Sequence, residues 1–147
     1  MPEPVIICLH QPALELAEKV ASLCDGEVHG LQSRVNTIPE SFEKTKEHLQ
    51  ELFQKGHPLV GICSSGILIR SLADVLSDKH TEPPVLAVAE DGSCVIPLLG
   101  GHHGANDLAR KIASGLGVAA AVSTAGDLKF EIALDQPPED LTLANPE

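Results

Sequence analysis

Leu59-Val60-Gly61-Ile62-Cys63 places five apolar or small residues in a row with no polar alternation, a pattern that fits a strand buried on both faces. It passes through Ser64-Ser65-Gly66 into a segment running from Ile67 to about Leu76, with Ile67, Leu68, Leu72, Val75 and Leu76 at helical spacing. A strand of that kind needs cover on both sides, so the chain is expected to be an α/β domain. Aromatic residues are only 2% of the chain against 43% hydrophobic, so Val, Ile, Leu and Ala must build the core. The expected architecture is a three-layer α/β/α domain around a mixed, mostly parallel sheet of five to six strands.

The same strand-then-helix order recurs on either side. Pro4 to Leu9 reads as a strand, and Pro12 then opens a helix to about Cys24 that stops at Gly26. A short strand is expected around Val28. Thr37-Ile38-Pro39-Glu40 has capping-box spacing, which predicts a helix from there to about Lys55. Val85 to Ala89 and Cys94 to Leu98 flank Glu90-Asp91-Gly92-Ser93, a hairpin signal that sets one strand against its neighbours. Val118 to Val122 reads as one more strand. Residues 1–126 form the expected domain, and 127–147 a tail that starts a linker. The Pro137-Pro138 segment and the ending Asn145-Pro146-Glu147 suggest a piece of a longer protein.

Chemistry concentrates at Gly100-Gly101-His102-His103-Gly104-Ala105-Asn106, between the second hairpin strand and a helix apolar at Leu108, Ala109, Ile112, Ala113 and Leu116. Three glycines in five residues let the backbone bend sharply and present amide groups beside two imidazoles. Asn106 is the expected N-cap. With ordinary crossovers, His10, Gln11, Ser64, Ser65, Glu90 and Asp91 gather at one end of the sheet. The hairpin sends His102, His103, Asn106, Ser123 and Thr124 to the other.

The formal charge of −11 argues against a nucleic-acid or anionic-membrane partner. No apolar run is long enough to span a bilayer and no signal peptide is evident, so a cytoplasmic protein is expected. Cys8, Cys24, Cys63 and Cys94 form no C-x-x-C pair and read as small buried hydrophobes kept reduced.

Gly61-Ile62-Cys63-Ser64-Ser65-Gly66-Ile67, Asp78-Lys79-His80, Pro84-Val85 and Leu98 through Asn106 together resemble the N-terminal domain of the cobalamin biosynthesis protein G family, CbiG. The resemblance covers residues 59 to 125. It implies cobalt-precorrin-5A hydrolase activity, which opens the ring-A δ-lactone of a corrin precursor and releases acetaldehyde. Complete family members carry a further C-terminal domain. The tail here looks more like the linker in proteins where the module is fused to a precorrin-3B methyltransferase, so the alternative is a non-catalytic tetrapyrrole-binding or docking domain.

Lactone opening needs an activated water and a stabilised oxyanion. His102 or His103 could act as the base, with Glu90 or Asp91 as alternatives, and the amides of Gly101 to Ala105 could hold the oxyanion. Ser64, Ser65, Gly66, Arg70, Lys79, His80, Gly100, Gly101, Gly104, Asn106, Ser123 and Thr124 are the expected substrate-binding positions, with Arg110 as a further cation. No resident metal or cofactor is expected, since the cobalt is carried by the substrate. The implied partners are the tetrapyrrole and another cobalamin-pathway domain or enzyme.

Overall fold

The computed structural model describes residues 2–38, 40–77 and 80–124, with His102 described by its backbone alone. Among these residues six strands form one sheet in the order β3-β2-β1-β4-β5-β6. They are β1 Val5–Cys8, β2 Glu27–Leu31, β3 Ser41–Phe42, β4 Leu59–Ile62, β5 Val85–Val88 and β6 Val95–Leu99. All neighbours pair parallel except β5 and β6, the antiparallel hairpin read from the D-G turn. Asp91 Oδ1 accepts the Ser93 N–H at 3.0 Å, which tightens that turn.

Among the described residues four α-helices cover the sheet: α1 Leu14–Cys24, α2 Thr45–Gln54, α3 Ser65–Leu72 and α4 Ala105–Leu116. The period-two alternation of the strands sorts the core into two layers. Ile6, Cys8, Val60, Ile62, Leu86 and Val88 point toward α1 and α4. Val5, Ile7, Leu59, Val85 and Ala87 point toward α2 and α3. Both faces are therefore buried, which is why these strands read as continuous apolar runs.

Three expectations are corrected. The capping box at Thr37 to Glu40 does not start a helix: Ser41–Phe42 forms β3, and α2 begins at Thr45 after Lys44. Pairing with β2 wins over the local signal, the Gln32 N–H donating to the Phe42 carbonyl at 2.8 Å. Val118 to Val122 joins the sheet through a single bridge, Val95 with Ala120. Asn106 is not an N-cap, because α4 starts at Ala105 after Gly104 in a left-handed conformation. The expected linker of 127–147, the domain boundary at 126 and the substrate-binding candidate Lys79 lie outside the described residues.

Candidate functional site

The reversal at β6 carries the glycine loop to the amino end of β4 and β5. Leu99 pairs with Val85, so Gly100 arrives beside Pro83 and Pro84. Its φ is +76°, and a Cβ there would sit 2.9 Å from the Pro84 backbone, so only glycine fits. One turn of 3-10 helix, Gly101–His103, follows and leads into α4.

Around this loop lies a cavity of about 500 Å³. Its walls are Pro97, Leu98 and Leu99 of β6, the backbone of Gly100 and Gly101, and the side chains of His103 and Asn106. His80 and Glu82 line it from the connection before β5, and Ser123 and Thr124 from the segment after α4. Asn106 is only 4% exposed, and its side-chain amide donates to Thr124 Oγ1 at 3.2 Å, tying the two walls together. His103 is exposed at the cavity while Glu82 is buried, which gives two ionisable groups of different solvation beside one space.

Two expectations about the loop change. The amides of His103 and Ala105 both donate to the Gly100 carbonyl, at 2.9 and 3.0 Å, so neither is an oxyanion donor. Of the loop backbone, Gly100 and Gly101 face the cavity. Gly104 and the Arg110 side chain are not among its lining residues, and Arg110 lies 3.8 Å from Asp107 on its own helix.

The remaining sequence candidates lie elsewhere. Ser64, Ser65 and Glu90 follow β4 and β5 at the carboxyl end of the sheet, away from the cavity. Glu90, the alternative base, is not brought to the glycine loop; its carboxylate meets His10 Nε2 at 2.9 Å. Arg70 folds back over Gly66, its Nη1 lying 3.0 Å from where a Cβ at that glycine would stand. Burial, with Glu90 as a second cause, pushes the Cys63 thiol up to about 12. Glu82 was missed by sequence reasoning; a lone acidic residue just before Pro83-Pro84 and a buried strand was the available sign.

Beyond Leu98 and Leu99 the cavity meets a second, apolar groove of about 210 Å³ lined by Leu68, Ile69, Leu72, Leu76 and Val85. Both spaces share the two leucines, so a chamber of mixed polarity and an apolar shelf meet at the end of β6.

The architecture and this chamber define an open α/β domain with a ligand-sized cavity at the end of its reversed strand. The sequence profile described as Cobalamin synthesis G N-terminal matches residues 47–127, and the chain belongs to that family. It is 38% identical over 88 residues to a cobalt-precorrin-5A hydrolase of Priestia megaterium, covering 59% of this chain and 24% of that protein. It is 42% identical over 78 residues to a cobalt-precorrin-5A hydrolase of Salmonella typhimurium, covering 52% and 22%. Each match thus takes in about a quarter of the relative's length. The crystal structure of a cobalamin biosynthesis protein G homolog from Sulfolobus solfataricus shares the fold, with a TM-score of 0.63 at 19% identity over 82% of this chain and 36% of that one. Among the described residues no helix is long and apolar enough to cross a membrane.

Proposed function

We propose that this domain supplies part of the substrate site of a cobalt-precorrin-5A hydrolase and acts on the ring-A lactone of that tetrapyrrole. The observation that carries the reading is the joined pair of spaces at β6. A corrin precursor offers a broad apolar ring edge and many carboxylates, and the shelf of Leu68, Leu72, Leu98 and Leu99 beside the mixed chamber, with its polar groups, offers matching surfaces. The chain's net charge of −11 opposes a polyanionic ligand, so local donors from His80, His103, Asn106, Ser123 and Thr124 have to hold it.

In the proposed reaction His103 takes a proton from water as the oxygen attacks the lactone carbonyl, and the Gly101 backbone faces the developing oxyanion. The acyl–oxygen bond breaks, leaving a carboxylate and a free hydroxyl. Loss of that hydroxyl proton, with Glu82 as the second base, drives cleavage of the adjacent carbon–carbon bond. The electron pair enters the macrocycle, and the two-carbon fragment leaves as acetaldehyde. The metal belongs to the substrate, and no step requires a resident cofactor.

Spectral titration with a corrinoid and an acetaldehyde assay on the same purified protein test this. Binding plus release that falls in His103→Ala supports it. Binding with no release makes the domain a holding or docking module, and no binding ends the tetrapyrrole reading.

A further inference from the structure

On the far edge of the sheet, β2 and the lead into β3 bring Glu27, His29 and Glu40 together, with one ligand atom from each lying within 4.8 Å of the others. We propose that these three side chains form a site for a first-row divalent transition ion of the zinc class, with His48 of α2 as the residue that positions His29. The proposal is independent of the hydrolase reading.

The backbone delivers the donors. Glu27 and His29 are two apart on β2 and so point to the same face, the one covered by α2. The Gly30 N–H donates to the Glu40 carbonyl at 2.9 Å, fixing where Glu40 leaves the strand pair. A Cβ at Gly30 would come within 2.7 Å of Ile38 Cγ2, so a larger residue there would push on the segment that leads to Glu40. His29 Nε2 lies 3.4 Å from Glu27 Oε1. Two ligands bound at about 2.0–2.1 Å around a tetrahedral centre stand roughly 3.4 Å apart, so this pair already has the spacing of ligands on one ion. Glu40 is exposed, so its carboxylate can swing in to complete the set.

The other nitrogen of His29 is also engaged. His29 Nδ1 and His48 Nε2 are 2.8 Å apart, and the His48 ring stacks on Phe42 with centroids 4.5 Å apart at 8°. One of the two facing nitrogens must donate and the other accept. When His29 donates from Nδ1, its Nε2 carries a lone pair facing the two carboxylates, an arrangement that a divalent cation between them satisfies. This is the outer-shell bond that metal-binding histidines make. One imidazole with two carboxylates suits zinc, manganese, cobalt or iron over calcium or magnesium, and two anionic ligands balance a divalent charge.

Chelator-stripped protein is titrated with Co²⁺, followed by its visible bands, and with Zn²⁺ in competition with a chromophoric chelator. Wild type is expected to bind Zn²⁺ at micromolar or lower concentration, and His29→Ala and Glu27→Gln each to weaken it by about tenfold or more. His48→Ala should weaken binding and alter the Co²⁺ bands while His48→Gln, which can still accept from Nδ1, restores both. Thermal melts without metal check that each variant folds, and Glu27→Gln, a partly exposed change, keeps the test open if His29→Ala does not. Binding absent below about 1 mM, or equal in Glu27→Gln and wild type, overturns the site. Binding that survives both changes but falls in His103→Ala places the ion at the glycine loop and overturns it too.

Discussion

The two ends of the sheet carry similar residues and have opposite characters. At the carboxyl end, where the chain order switches between β1 and β4, an open α/β sheet ordinarily leaves its ligand crevice. Here two contacts join described residues at that end. Glu90 meets His10 from β5 to β1, and Gln11 Oε1 accepts the Asn36 N–H at 2.9 Å. The amino end beside β6, where the Asn106 amide donates to Thr124 Oγ1, opens into a chamber of about 500 Å³. A single antiparallel strand moved the glycine loop there. The fold class alone points to the end opposite this chamber.

That contrast can be tested from either side. If the carboxyl end is closed, Cys63 should resist alkylation. A thiol held near 12 is about 10⁻⁴ thiolate at pH 8, so it should label roughly a thousandfold slower than an ordinary exposed cysteine. Mass spectrometry of pulse-labelled native and urea-unfolded protein reads this, and fast native labelling of Cys63 would show that end to be open. The same shift has a stability consequence: the folded thiol sits above its ordinary value of 9.0, so its contribution is complete below about pH 9 and lost as pH rises toward 12. Urea melts between pH 8 and 10.5 should show a falling midpoint.

At the open end, His103→Ala should lower acetaldehyde release by about 10²-fold or more with the melting temperature little changed. Full activity in that variant would leave Glu82 as the sole ionisable group of the proposed pair. Gly100→Ala should cost at least about 1–3 kcal/mol from its left-handed backbone, more with the Pro84 collision, whereas Gly104→Ala meets open space and should cost only the backbone part. Denaturant midpoints compare the two, and equal losses would mean that contact with Pro84 does not shape the loop. The smallest effect is expected for Glu90→Gln. Its half-exposed pair with His10 should be worth less than about 1 kcal/mol, and acetaldehyde release should hold within twofold.

The core strands were legible because burial on both faces leaves continuous apolar runs such as Val5–Cys8 and Leu59–Ile62. β3 was not, since two residues carry no period and their conformation comes from β2. The glycine loop announced itself by composition, yet the use of the His103 and Ala105 amides within it depends on a turn that only coordinates reveal. Glu82 looked like connection chemistry beside two prolines, and the nearby placement of the β6 loop set it at a cavity. The Glu27, His29 and Glu40 cluster joins positions split between an ambiguous stretch and a misread helix start, so no spacing rule could have assembled it.

Pro97 lies in the outermost strand, whose far side meets the rest of the described chain only through Ala120. Sheets tolerate proline at a rim where its nitrogen faces away from the ladder, and an incoming strand then finds no donor midway along. The β6 edge can thus border the chamber without templating fibrous stacking of the molecule's own copies.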